Sequence, residues 1–190
     1  MLQKADSQDL LPLTWSHSAK QPAVGDWRPN SFYGRPKNEE LGADWKKAIR
    51  CIESRDYHHA LSLLRKMTLA PQQRNVLGVC LLRTGAIAEA VSVFKSLCVA
   101  SGTTWIRPET PTCLQINFAT AVLLNGSPAR CLEVLAGISN PQPAMCQMLR
   151  DEIQAWSKGL PLWKRIDWWI GHVEPQNSRV QLAFEPGVWE

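Results

Sequence analysis

Hydrophobic side chains recur in this chain with the three-to-four-residue spacing of amphipathic helices. In the first such segment Trp45, Ala48, Ile49 and Ile52 share one helix face. Segments rich in proline, glycine, serine or asparagine interrupt the pattern, as they do between helices. The pattern predicts helices over about 41–54, 56–68, 71–84, 87–100, 112–125, 128–137, 143–158 and 162–173.

Several predicted helix ends have a chemical reason. Pro71 and Pro128 stand where a first helical residue needs no N–H donor. Asp56 and Ser127 precede helices and are predicted to cap them with side-chain oxygens. Gly85 follows the third helix, in the position where a left-handed residue commonly ends one.

Both ends of the chain depart from the helical pattern. Four prolines interrupt residues 1–40, which nevertheless carry Trp15 and Trp27. We expect this arm either to drape over the helical body or to stay disordered until a partner binds. Near the other end, large apolar side chains alternate over 180–184, which predicts one short extended stretch.

The segment 71–100 alternates small and large residues at defined places. A Leu-Gly pair, Leu77-Gly78, is followed by Leu81 and Gly85, then by Ala90 and Phe94. This spacing resembles the tetratricopeptide repeat, a pair of antiparallel helices that touch closely around small side chains. Arg74 stands where the family pattern often has tryptophan.

Two further segments resemble the repeat less closely. One covers 112–138 and uses Ala119, Val122, Gly126, Cys131 and Leu135. The other covers 41–70 and uses Ala48, Cys51, Ala60 and Leu64, with Arg55 at the turn. The offsets between copies, 30 residues from Ala60 to Ala90 and 41 from Gly78 to Ala119, bracket the family's 34.

The resemblance implies an all-α fold: a short right-handed superhelix of antiparallel helix pairs. We divide the chain into an irregular arm (1–40), a repeat domain with a C-terminal capping helix (41–158) and a tryptophan-rich tail (159–190). A plain helical bundle with coincidental spacing is the alternative. The tail tryptophans are expected to cap the repeats; contact with a partner or with a membrane surface is the other interpretation.

The resemblance also implies a concave groove lined by the first helix of each pair. Its predicted partner-binding residues are Trp45, Asn75, Val79, Arg83, Ile116 and Thr120. Asn75 and Arg83 could hydrogen-bond the backbone of a bound peptide. Trp45 and Ile49 replace the Lys and Asn with which some members of the family clamp a terminal carboxylate, so that clamp is not expected.

The expected function is therefore a non-catalytic protein–protein interaction module or scaffold, cytoplasmic, that binds a peptide segment in this groove. A chaperone of the type III secretion kind and an enzyme with a Cys or His in a pocket near the tail are the alternatives. Residues 41–150 carry twelve basic and six acidic side chains, which favours an acidic protein or peptide partner. Neither a nucleic-acid partner nor membrane contact is expected.

Other chemistry has little support in the sequence. The six cysteines include no C-x-x-C pair and are expected to be reduced core thiols. His58 and His59 are adjacent, so on a helix they point about 100° apart and do not suit one metal ion. No phosphate-binding or dinucleotide-binding fingerprint is present. We therefore expect no catalytic residue, cofactor or metal.

Overall fold

The computed structural model describes residues 42–139, 143–175 and 178–189, and in these residues the only regular elements are α-helices. Each predicted helix is present, with ends that differ from the prediction by at most a few residues. The helices are α1 (Ala43–Glu53), α2 (Tyr57–Leu64), α3 (Pro71–Arg83), α4 (Ile87–Cys98), α5 (Thr112–Leu124), α6 (Pro128–Ala136), α7 (Ala144–Lys158) and α8 (Leu162–Gly171).

The first six helices form three hairpins, and in each hairpin the two helices are joined by the same kind of turn. The middle residue of each three-residue connection has a left-handed backbone, with φ of 62° at Arg55, 78° at Gly85 and 97° at Gly126. In each turn the residue after the left-handed one donates its N–H to the carbonyl five residues earlier. In the third turn this is the 3.0 Å bond from the Ser127 N–H to the Val122 carbonyl. This geometry ends one helix and returns the chain alongside it.

Buried small residues occupy the same two places in every hairpin. They lie seven residues before and five residues after the left-handed residue: Ala48 and Ala60, Gly78 and Ala90, Ala119 and Cys131. A large residue nine places after the turn is fully buried each time, namely Leu64, Phe94 and Leu135. The three segments that the sequence predicted to be copies therefore share the same turn and the same pattern of buried positions.

The contact at Gly78 differs in one detail from the expected pairing with Ala90. A Cβ built on Gly78 would lie 2.8 Å from both Cε atoms of the Phe94 ring and nearer still to its Cζ. The glycine is therefore needed because the ring of Phe94 lies directly on the α3 backbone.

The hairpins stack through α2 against α3 and α4 against α5, and α7 covers α5 and α6. The α5 helix lies at the centre, since all of it except Thr112 and Gln115 is buried. A helix buried on every side is expected to be apolar all round. This makes the one asparagine in the middle of α5, Asn117, conspicuous.

Two predicted caps behave differently. The Asp56 carboxylate accepts a 3.1 Å hydrogen bond from the His59 N–H, as predicted. The Ser127 side chain makes no capping bond to α6, so that prediction is wrong; Pro128 at the first helical position does begin the helix as expected.

The tail after α7 is partly as predicted. Val180, Leu182 and Phe184 are buried and the residues between them are exposed, so the alternation is confirmed without a strand partner in the described residues. Trp168 is buried edge-on against Trp156, with ring centroids 5.3 Å apart.

The outer face of α8 is exposed. Trp163 and Trp169 are 77% and 84% exposed, so the prediction that all tail tryptophans cap the core is wrong for these two. None of the described helices is long and apolar enough to cross a membrane. The predicted arm over residues 1–40 lies outside the described residues.

Candidate functional site

Three of the predicted groove residues lie on one face of α3. Asn75, Val79 and Arg83 follow each other at intervals of four residues, which places them one turn apart along the helix. A segment from the far end of the chain, Glu185–Trp189, lies against this face. We call it the tail segment.

The Arg83 side chain binds the backbone of the tail segment. Its Nε donates to the Pro186 carbonyl at 3.1 Å, and its Nη2 donates to the Gly187 carbonyl at 3.4 Å. Its Nη1 forms an ion pair with Glu185 at 3.2 Å. The Arg83 side chain is only 10% exposed, and this carboxylate provides a counter-charge, which a buried guanidinium needs.

Tyr57, the first residue of α2, completes the surroundings of Arg83. Its hydroxyl accepts from Arg83 Nη1 at 2.6 Å and donates to Glu185 at 2.8 Å. Burial raises the pKa of Tyr57, and the neighbouring Arg83 charge only partly opposes this, so the hydroxyl keeps the proton that it donates.

The Arg83 guanidinium also lies close to two aromatic rings. Its Cζ is 4.6 Å from the Trp189 ring centroid and 5.1 Å from that of Tyr57. A flat cation can stack on such rings while its edge continues to donate hydrogen bonds. The one side chain therefore contacts both the backbone and the aromatic end of the tail segment.

Asn117 of α5 recognises the backbone of Val188 with both halves of its amide. The Val188 N–H donates to Asn117 Oδ1 at 2.7 Å, and Asn117 Nδ2 donates to the Val188 carbonyl at 2.8 Å. Asn75 Oδ1 accepts from the same Nδ2 at 2.8 Å, which connects α3 to α5 beneath the segment. These contacts need only a peptide backbone and not a particular side chain.

Gly187 is required for the close approach of the tail segment to α3. Its φ of 85° is a left-handed conformation that residues with a Cβ rarely adopt. A Cβ here would lie 2.9 Å from Cγ1 of Val79, one of the predicted groove residues. Backbone conformation and lack of space therefore both exclude a larger residue.

The other predicted residues do not approach the tail segment in the same way. Ile116 and Thr120 are buried in α5, and the Thr120 hydroxyl donates to the Ile116 carbonyl within its own helix at 2.9 Å. Trp45 is half-buried against the core on the α1 side.

Sequence reasoning missed Asn117 and Tyr57. Asn117 could have been found, because a polar side chain within the apolar run of α5 must have a hydrogen-bond partner. Tyr57 has no comparable signal, since a tyrosine in the first turn of an amphipathic helix is ordinary.

Three of the six described thiols do not have the properties of nucleophiles. Burial raises the pKa of Cys80, Cys98 and Cys131 to about 12, whereas a reactive cysteine has a lowered pKa. A cleft beside the tail is lined by Glu152, Ala155, Trp156, Gly159, Leu160, Ser178, Arg179 and Gln181, none of them Cys or His. In the part of the chain that is described, no three His, Cys, Asp or Glu side chains are grouped as a metal site requires.

Comparison with protein-family models, with curated proteins and with solved structures found no match to this chain. The function is therefore inferred from the surface that contacts the tail segment, on which a cation, two amides and an aromatic ring hold five residues of the chain.

Proposed function

We propose that this protein is a non-catalytic interaction module of the tetratricopeptide-repeat type, whose groove binds an extended peptide segment of another protein. The observation that carries the proposal is the pair of hydrogen bonds by which Asn117 holds both backbone groups of Val188. The occupant in this structure is the chain's own tail segment, in the place where a partner's segment would bind.

The three hairpins support the repeat assignment. They share a left-handed turn residue and buried small residues at equal distances from it, although only two of the turn residues are glycine. Repeats of this kind stack into a curved array, with the first helices of the pairs on the concave side. The α3 residues that contact the tail segment belong to such a first helix.

The chemistry of the groove supports peptide binding. Arg83 and Asn117 together bond the Pro186 and Gly187 carbonyls and both backbone groups of Val188. Recognition of extended peptides commonly combines such backbone bonds, which provide affinity, with side-chain contacts that provide specificity. A surface that only had to bury apolar side chains would not need this set of buried donors.

The resident segment lowers the apparent affinity for any partner. A tethered segment competes at an effective concentration that is typically in the millimolar range. A partner therefore binds only in the fraction of molecules whose tail segment has left the groove.

A peptide-library selection tests the proposal. The full chain with Gly187→Ala, in which we expect the tail segment to leave the groove, is used to select displayed random peptides. Selected peptides should lose at least about tenfold in affinity when Asn117→Leu is added. The substitution removes two hydrogen bonds to the peptide backbone, and their loss lowers the binding free energy by roughly 1.4 kcal/mol or more.

Two controls accompany the selection. Asn125→Ala changes an exposed asparagine at the end of the same helix and should leave peptide binding unchanged. Arg83→Lys serves if Asn117→Leu does not fold, and should also weaken binding. If no selected peptide depends on either Asn117 or Arg83, the proposed function is wrong.

A further inference from the structure

We infer that the groove selects one class of partner segment: an acidic residue, then proline, glycine, an aliphatic residue and an aromatic residue. The inference rests on the proposed function, because the groove must be open to another protein. The tail segment Glu185–Trp189 shows which side chain each position of the groove accepts.

The first position requires an acidic side chain. Glu185 lies 3.2 Å from Arg83 Nη1 and accepts from the Tyr57 hydroxyl at 2.8 Å. With a neutral residue there, the nearly buried guanidinium would lose its counter-charge. The basic middle of the sequence predicts an acidic partner. The contacts of Glu185 specify that prediction further: the partner needs one carboxylate, at the position opposite Arg83 and Tyr57.

The second and third positions require proline and glycine. Pro186 is fully buried, and its ring fixes its own φ and disfavours a helical conformation in the residue before it. Gly187 combines a left-handed φ with a backbone-to-Val79 distance that leaves no room for a Cβ. A Pro-Gly pair is thus selected by shape, independently of charge.

The last two positions favour an aliphatic and then an aromatic residue. The Val188 side chain is half-buried against the core, while its backbone is held by Asn117. The Trp189 ring stacks on Arg83 and lies 6.5 Å from the Tyr57 ring, measured between centroids. An aliphatic side chain in the last position would lose this cation–π contact.

The experiment uses a fluorescent peptide with the sequence of residues 181–189, titrated into the full chain and followed by anisotropy. The Gly187→Ala chain should bind it at least about tenfold more tightly than the wild-type chain, whose own segment competes. Hydrogen exchange establishes first that Gly187→Ala exposes the Val188 amide. An unchanged, protected amide would overturn the steric argument on which the inference depends.

Variants of the peptide test each position. Glu185→Gln, Gly187→Ala and Trp189→Ala in the peptide should each weaken binding at least about fivefold, the size of a lost contact of about 1 kcal/mol. Ala183→Ser changes an exposed position outside the five and is the matched control. Equal affinities for all these peptides would overturn the inference.

The outcomes separate this inference from the proposed function. Library peptides that need Asn117 but share no acidic-Pro-Gly pattern leave the binding role intact and refute the specificity. Absence of any Asn117-dependent peptide refutes both. A wild-type chain that forms dimers by exchanging tail segments would show that the occupant is a second copy, which contradicts a separate partner.

Discussion

The Arg83 guanidinium connects α3 and α2 to a segment more than a hundred residues further along the chain. It combines an ion pair, backbone hydrogen bonds and stacking, which a planar fork of donors can do simultaneously. A lysine keeps the charge but has neither the fork nor the flat face.

Arg83→Lys should therefore loosen the tail segment without unfolding the repeats. We expect the free energy of local opening at the Val188 amide to fall by roughly 1–3 kcal/mol, measured by native-state hydrogen exchange. Arg74→Lys on the exposed side of α3 is the matched control and should change nothing. Equal protection in both variants would show that the special contacts of Arg83 do not hold the segment.

Gly78 gives a second prediction at the scale of one residue. Gly78→Ala places a Cβ against the fully buried Phe94 ring, which cannot move into solvent. Overpacking costs about 1–3 kcal/mol, and this site lies at the upper end because the added Cβ would meet three atoms of a buried ring. The better helix propensity of alanine returns up to about 1 kcal/mol, so urea unfolding should show a net loss of roughly 2 kcal/mol.

Gly137→Ala is the control for this loss, because a Cβ there lies at an ordinary 3.5 Å from the Val134 carbonyl. Adding Phe94→Leu to Gly78→Ala should recover part of the stability. A Gly78→Ala protein as stable as the wild type would contradict the close contact between α3 and α4.

At the scale of elements, the hairpin turn is repeated more faithfully than the residues that form it. Arg55 has the left-handed φ of 62° that glycine supplies in the other two turns. Most residues reach this conformation only at a cost, roughly 1–2 kcal/mol in unfavourable cases. The packing of α1 against α2 is sufficient to impose it on an arginine.

Arg55→Gly should accordingly stabilise the protein, by up to about 1 kcal/mol after the larger backbone entropy of glycine in the unfolded chain is subtracted. The midpoint of urea unfolding measures this gain. Ser54→Gly, at a neighbouring position with φ of −83°, should give no gain. Destabilisation by Arg55→Gly would mean that the arginine side chain stabilises the turn in some other way.

The whole molecule should lose stability in alkali. Burial raises the pKa of Cys80, Cys98 and Cys131 to about 12, whereas thiols of an unfolded chain titrate near about 8.5. Above that pH the unfolded chain loses protons that the folded chain retains, so the free energy of unfolding falls until the folded thiols ionise.

Urea titrations at pH 8 and pH 10 should therefore differ by roughly 1–2 kcal/mol for each of these thiols. The raised pKa of Tyr57 acts in the same direction at still higher pH. Cys131→Ala should reduce the difference between the two titrations by one thiol's share, whatever it does to stability at pH 8. A free energy that is flat over this range would contradict the burial of the thiols.

Local patterns in the sequence determined the helices and their turns, because helix periodicity, proline at a first position and glycine after a last one act within a few residues. The same periodicity placed Asn75, Val79 and Arg83 on one face of α3. Buried Ala and Gly positions in the hairpins were also predictable, since close packing demands small side chains at fixed distances from the turn.

Only the tertiary structure decided what lies on that face. The rotation of α5 relative to α3 brings Asn117, and not the predicted Thr120, to the bound backbone, and no local pattern specifies that rotation. The occupant is Glu185–Trp189, which meets α3 through contacts between residues about a hundred positions apart. Such pairings depend on the shape and charge of two distant surfaces together, and the spacing of residues within either segment does not contain them.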